Sequence, residues 1–383
     1  MRRDSGEAER AMSTHHLDAL RDWVAQQVGL SAPELEFIAG DASPRQYYRV
    51  RCHTGQLGVF SCIVMVSPPS ENNEAFLHVG RRLAAAGIQT PAVLAQAEAQ
   101  GWFLLEDFGD LQLLSALNAE NVSFHYRQAF QVLAKQVRLP TDGAGIPLYS
   151  SSRLNAELLL FTEWFLLRLL KLTISETTTA RFFTLSECLI ASALEQPQVW
   201  VHRDFHSRNM MVLEANLGII DFQDSVVGPI TYDPVSLLKD CYIRWPRDQQ
   251  LTWLETYYDQ LCSMGHVSQE IDGSLSTKAK TSSLSNLIDG VSKARFEQWF
   301  DLMGLQRHLK VLGIFARLHI RDEKSAYLDD LPLVVAYVRE GLAVTANTDP
   351  SIADFREWFE HDLMPVICDQ HWYRPIDTAG WVL

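Results

Sequence analysis

A chain of 383 residues with 47% apolar and 21% charged side chains can bury a large core and has the make-up of a soluble globular protein of two lobes or domains. Its formal charge of −14 argues against a general nucleic-acid surface or an anionic-membrane surface, since either partner would be repelled, while leaving room for a local basic pocket. The six cysteines are scattered without a C-x-x-C pair, so reduced thiols in a cytoplasmic protein are expected rather than a disulfide framework.

Residues 1–13 read as a loose tail, with basic residues but no apolar run behind them, so no secretory signal is expected. Leu17, Leu20, Trp23, Val24 and Val28 recur at helical spacing, and Gly29 closes that helix. Gly40, Asp41 and Ser43 then break the chain between a strand at Phe37 and another from Tyr47 to Cys52. Small residues in such a turn let backbone N–H groups approach an anion closely, and an ordinary hairpin is the equal alternative. Leu57 to Val66 predicts a buried strand. No lysine precedes Lys135, so any strong positive charge on this lobe must come from Arg45, Arg49 or Arg51, unless these face solvent on a strand edge. A helix follows from Ala75 to Ala86, stopped by Gly87, with Glu71 and Glu74 near its start; either could pair with a clamp arginine, or be there only because the helix dipole favours acids. Pro91–Ala95 and Trp102–Leu105 predict two more strands. Glu106-Asp107-Phe108-Gly109-Asp110 then reads either as an acidic turn or as a hinge between a strand-rich lobe, 14–108, and a helical lobe, 109–383.

Helical patterns cover Leu113–Ala119, Phe124–Arg138, Leu154–Leu172 and Arg181–Glu195. The run to Leu172 is interrupted by Glu163, Trp164 and Arg168, so it predicts a buried helix and no membrane span. Val199–Val201, Met210–Leu213 and Leu217–Ile220 predict strands, the last two forming a hairpin around Glu214-Ala215-Asn216. Between them lie His202-Arg203-Asp204 and, five residues on, Asn209; Asp221-Phe222-Gln223 ends the hairpin. His202 and His206 have the spacing of a zinc pair, but no H-E-x-x-H pattern accompanies them and zinc is not expected. Ile320-Arg321-Asp322 looks similar but stands in a helical context with Tyr327 where an asparagine would be needed. Gly228–Pro234 predicts a loop in which Asp233 caps a helix or braces its neighbours, without a catalytic role. Residues 265–290, rich in Ser, Thr and Lys, predict a mobile insertion. From Phe296 a long helix carries an apolar stripe (Leu302, Leu305, Leu309, Leu312, Phe315) and a basic one (Arg307, Lys310, Arg317, Arg321), which is either a solvated face or an anion site.

Phosphoryl transfer needs a carboxylate to orient the attacking hydroxyl and two oxygen ligands for a cation on the phosphates, and Asp204, Asn209 and Asp221 have that pattern. In their order, His202, Arg203, Asp204, Asn209, Asp221, the loop Gly40–Ser43 and the hinge after Leu105 resemble the aminoglycoside-phosphotransferase-like kinases. The segments G-D-A-S-P-R-Q-Y-Y-R-V, F-L-L-E-D-F-G-D and L-Q-R-H-L-K-V-L-G-I-F-A-R-L are similar to the branch acting on N-acetylmuramate and N-acetylglucosamine in cell-wall recycling.

The resemblance implies an α+β, protein-kinase-like fold with a small mixed-sheet N-lobe and a larger helical C-lobe. It implies Asp204 as catalytic base, and Asn209 and Asp221 as Mg2+ ligands. Gly40, Asp41, Ser43, Arg45, Arg49, Glu106 and Phe108 are expected to meet ATP, with the adenine at the hinge. His206, Arg208 and Arg307 are expected to meet the amino sugar, Arg307 at the lactyl carboxylate of muramate. No nucleic acid, membrane or obligatory protein partner is expected. The chain departs from protein kinases in lacking the phosphate-clamping lysine, in Gln223 where they have glycine, and in having no A-P-E segment after Asp221, so a protein substrate is not expected. An aminoglycoside or small-amine kinase and a nucleotide-binding pseudokinase are the competing functions.

Overall fold

Stiff β-branched and aromatic residues recur in the first strands, and these assemble into one sheet. The computed structural model describes residues 14–40, 44–51, 61–267 and 287–376; the expected tail (1–13), Asp41 and Ser43, and most of the expected insertion lie outside them. The strands are β1 (Glu36–Gly40), β2 (Gln46–Arg51), β3 (Ser61–Val66), β4 (Val93–Ala97) and β5 (Trp102–Glu106), in the order β1-β2-β3-β5-β4. Every neighbouring pair is antiparallel, so the sheet is not the mixed one expected. The helix between β3 and β4 does carry the chain across, but β5 then inserts between those two strands.

Helix α1 (Thr14–Val28) lays Leu20, Val24 and Val28 on Val50, Val64, Trp102 and Leu104 of one sheet face. Helix α2 (Asn73–Ala85), capped by the Asn72 side chain accepting from Ala75 N at 3.0 Å, packs Phe76, Val79 and Leu83 with Met65, Phe103 and Leu105 of the other face. That second cluster runs without a break into the helical lobe through Phe222, Ile219 and Trp200.

The helical lobe comprises α3 (Leu113–Ala116), α4 (Val122–Gln136), α5 (Ser151–Leu160), α6 (Glu176–Glu195), α7 (Tyr232–Leu238), α8 (Arg247–Val267), α9 (Lys293–Asp322), α10 (Tyr327–Thr345), α11 (Pro350–Trp358) and α12 (Met364–Cys368). Two small ribbons interrupt it, β6 (Gln198–Val201) with β9 (Val226–Pro229), and β7 (Met210–Val212) with β8 (Leu217–Ile219). The long α9 packs against α5, α6, α7, α8 and α10. Its apolar stripe, Leu302 to Phe315, is buried as expected, but its basic residues part company: Arg307 and Lys310 are buried while Arg321 is exposed.

Two elements differ from the sequence expectation. Leu154–Leu172 is not a single α-helix, because α5 yields at Phe161 to a π-helical stretch, Phe161–Leu169. There Gly313 of α9 presses on the Leu160–Phe161 backbone so closely that a Cβ at 313 would overlap the Leu160 carbonyl. Strand β9 takes in Gly228 and Pro229, the start of the segment expected to be loop; these two read as a turn, yet the strand pairs with β6 from Gln198↔Pro229 to Val201↔Val226. Among the described residues no helix is long and apolar enough to cross a membrane.

Candidate active site

Strand β6 delivers the chain to His202, a short 3₁₀ turn at Ser207–Asn209 follows, and the β7–β8 hairpin returns it to Asp221. Ile220 N donates to Asn209 O at 3.1 Å, so the two ends of the hairpin lie side by side. Asn209 Nδ2 then donates to Asp204 O at 3.0 Å and to Asp221 Oδ2 at 3.3 Å. The three residues expected to carry the chemistry are thus gathered at one edge. The two histidines go separate ways, His202 Nε2 to Ile220 O at 3.1 Å and the His206 ring to the edge of Tyr242 at 5.3 Å.

The loop is braced from below. Asp233 accepts from His202 N (2.8 Å), Arg203 N (3.0 Å) and Gln136 Nε2 (2.6 Å), which makes it the brace that the sequence allowed. Asp240 accepts from Ser207 N at 2.9 Å and Ser207 Oγ at 2.5 Å. Arg203 sits at φ +77°, a left-handed conformation unusual for a non-glycine residue, and its carbonyl takes hydrogen bonds from Ser236 Oγ (3.2 Å) and Arg307 Nη1 (3.3 Å).

Around these groups lies a buried charge network that motif reading did not find. Glu157 of α5 accepts from Arg203 Nη2 and from Tyr149 Oη, and Lys310 Nζ lies 3.1 Å from it. Lys310 also donates to Tyr232 Oη at 3.0 Å, and Arg307 Nη1 lies 3.5 Å from the same oxygen. The available signal was a lone glutamate inside the apolar run Leu154–Leu160.

Asp204 stands at the floor of this region with its side chain 40% open, and Arg307 Nη1 is 3.9 Å from its Oδ1. Its deep setting pushes the carboxyl pKa up, but the charges of Lys310, Arg307, His206 and Arg203 outweigh that and hold it well below the usual carboxylate range. Burial lowers the pKa of His206, only partly opposed by Asp240 and Asp204, so the neutral imidazole is favoured. Arg208 stacks on Tyr242, its guanidinium carbon 3.6 Å from the ring centre. Arg307 lies beside Asp204, but it is only 3% exposed and its contacts are with the protein.

On the sheet side, Gly40 ends β1 opposite Gln46. Arg45, 2% exposed, donates from Nε to Ser67 Oγ at 3.1 Å, lies 3.7 Å from Glu71 and sits over the Phe76 ring at 5.8 Å, so Glu71 is the acid beside this arginine. Arg49 is turned to the hinge: Asp107 takes it at 2.6 and 3.0 Å and Asp110 at 2.7 Å, a commitment at odds with a phosphate clamp. Glu106 Oε2 accepts from Ala92 N at 3.2 Å. The Phe108 ring lies directly against Gly218 of β8, where any Cβ would overlap it, and this close approach joins hinge to hairpin.

Comparison with known proteins agrees with this geometry. The family described as "Phosphotransferase enzyme family" matches residues 34–271. The chain is 38% identical over 311 residues to N-acetylmuramate/N-acetylglucosamine kinase of Pseudomonas putida, covering 81% of this chain and 84% of that protein. It is 36% identical over 323 residues to the protein of the same name from Pseudomonas aeruginosa, covering 84% and 88%. Its fold is similar to that of a choline kinase from Cryptosporidium parvum, with a TM-score of 0.57 at 11% identity, covering 90% of this chain and 100% of that one; at such identity the likeness concerns fold alone. The chain belongs to the phosphotransferase enzyme family and is a small-molecule kinase with a protein-kinase-like fold.

Proposed function

We propose that the protein is an ATP-dependent sugar kinase that phosphorylates the anomeric hydroxyl of N-acetylmuramate, N-acetylglucosamine or both, giving the 1-phosphate in cell-wall recycling. The observation that carries this reading is the convergence of Asp204, Asn209 and Asp221 in a chain so similar to kinases of that name. In this reading Asp204 accepts a hydrogen bond from the sugar hydroxyl and aims its oxygen at the terminal phosphorus. As the new O–P bond forms and the bond to the β-phosphate oxygen breaks, the proton passes to Asp204 and ADP leaves. A carboxylate with so low a pKa is a weak base, so its larger contribution is orientation.

The donor set suits Mg2+. Asn209 directs its Nδ2 to Asp204 and Asp221, which leaves its Oδ1 for a cation, and Asp221 supplies carboxylate oxygen. Hard oxygen ligands completed by phosphate and water are what Mg2+ favours. When bound, the ion neutralises charge on the phosphates. We assign nucleotide contacts to the lobe 14–108, including the loop Gly40–Ser43, Glu106 and Phe108, with Arg45 beside Glu71 in place of the absent lysine. The sugar falls to the lobe 109–383, with His206 and Arg208 at its edge. A supply of ATP fits a cytoplasmic setting.

The burial of Arg307 against the Asp204 loop supports a role common to both sugars over a contact reserved for the lactyl carboxylate. Arg307→Met is therefore expected to lower kcat on both sugars alike, and a loss confined to muramate would restore the lactyl contact. The function itself is tested by incubating the protein with ATP, Mg2+ and a panel of amino sugars and aminoglycosides while following ADP. Turnover with loss of the sugar reducing end is expected. Turnover that leaves the reducing end intact, or appears only with aminoglycosides, would overturn the assignment.

A further inference from the structure

We infer that Gln223 is a positioning residue for the cation site, holding the Asp221 carboxylate in its ligand orientation before any ion arrives. The inference rests on the reading of Asp221 as a cation ligand. Asp221 has φ +62°, a left-handed conformation uncommon for a non-glycine residue, and its carboxylate is oriented by its neighbours. Both carboxylate oxygens are held: Gln223 Nε2 donates to Oδ1 at 2.8 Å and Asn209 Nδ2 to Oδ2 at 3.3 Å.

Gln223 can act in this way because its own backbone is fixed. Ser225 donates to Phe222 O from both its N (3.2 Å) and its Oγ (2.7 Å), closing a tight turn over Gln223 and Asp224. Arg203, held by Glu157, reaches Asp224 O from Nη1 at 3.4 Å. Phe222, 1% exposed, stacks on Phe76 at 5.2 Å and anchors the other side of the turn. The side chain of Gln223 therefore reaches back two residues from a rigid support, whereas a glycine at 223 would have no amide to reach with. Partners that orient a metal ligand typically change metal affinity by about 10- to 100-fold when removed.

The test is a titration of Mn2+ into the ADP-saturated protein, followed by electron paramagnetic resonance with the ADP-only curve subtracted, for wild type, Gln223→Leu, Gln223→Met and Asp221→Ala. Loss of the donor at nearly constant volume is expected to weaken Mn2+ binding about 10- to 100-fold in both Gln223 variants. Their KM for sugar is expected to stay near wild type. Melting temperatures identify a variant that fails to fold, and the other then decides. Wild-type Mn2+ affinity in a folded Gln223 variant, with affinity lost in Asp221→Ala, overturns the role of Gln223 and leaves the cation site standing. Wild-type affinity in Asp221→Ala overturns the cation site itself, and this inference with it.

Discussion

Asp204→Asn is expected to lower kcat by about 100- to 10,000-fold, because the hydroxyl loses both its orienting carboxylate and its proton acceptor, with little change in melting temperature. The amide keeps the size of the side chain and can still meet a hydroxyl, but it cannot take the proton or present two acceptor oxygens. The fold should survive because the Asp204 side chain is 40% open and the loop's braces run to its backbone and to its neighbours, through Asp233, Asp240 and Asn209. A pH profile adds a second check. The Asp204 pKa lies below the usual carboxylate range, so the carboxylate persists as pH falls through that range. An acid limb of kcat/KM, which reports the free enzyme, should therefore lie, for this group, below the pH at which an ordinary aspartate protonates, about 3.9. Full turnover by Asp204→Asn would remove Asp204 from the mechanism.

Glu157→Ala is expected to destabilise the protein by about 3–5 kcal/mol, seen as a lower denaturant midpoint, because it leaves Arg203 and Lys310 as buried cations without their shared anion. Burial pushes the Glu157 carboxyl up, but Lys310 and Arg203, with the Tyr149 hydrogen bond, outweigh it and hold its pKa below the ordinary value. A folded-state pKa lower than the unfolded one gives stability that is fully present above the unfolded value, near 4.3, and is lost as pH falls through the folded value. The wild type should thus lose stability in acid more steeply than Glu157→Gln, which lacks the group. Equal midpoints for wild type and Glu157→Ala at neutral pH would show that the network contributes nothing to stability. Pairing Glu157→Gln with Lys310→Met removes one charge of each sign and should recover part of the loss.

The chemistry was legible because it is local. His202, Asp204, Asn209 and Asp221 fall within 20 residues, and the turn at Glu214–Asn216 between two short apolar runs is enough to fold the last two together. The expected helices were mostly legible for the same reason, since periodicity reports which face is apolar over a few turns. What sequence could not convey was direction. Arg49 and Arg45 stand four residues apart on the same stretch of chain, yet one turns to Asp107 and Asp110 at the hinge and the other into the lobe beside Glu71. Glu157, Arg203 and Lys310 are separated by more than 100 residues from end to end, and nothing local marks them as one network. Strand β9 was hidden by a glycine and a proline that signal a turn, although its pairing with β6 satisfies its backbone. An α-helix and a π-helical stretch also share nearly the same apolar pattern, so the change at Phe161 leaves no mark in the sequence.

The contact of Gly313 with the Leu160–Phe161 backbone bears on how a saturation mutagenesis map of this chain should be read. Any side chain there would force α9 away from α5, and α9 carries Arg307 and Lys310 into the site. Position 313 would then score as intolerant as position 204, although it touches no reacting atom. Ranking positions by tolerance alone would place a packing glycine among the catalytic groups. Only tolerance measured together with the amount of folded protein separates the two.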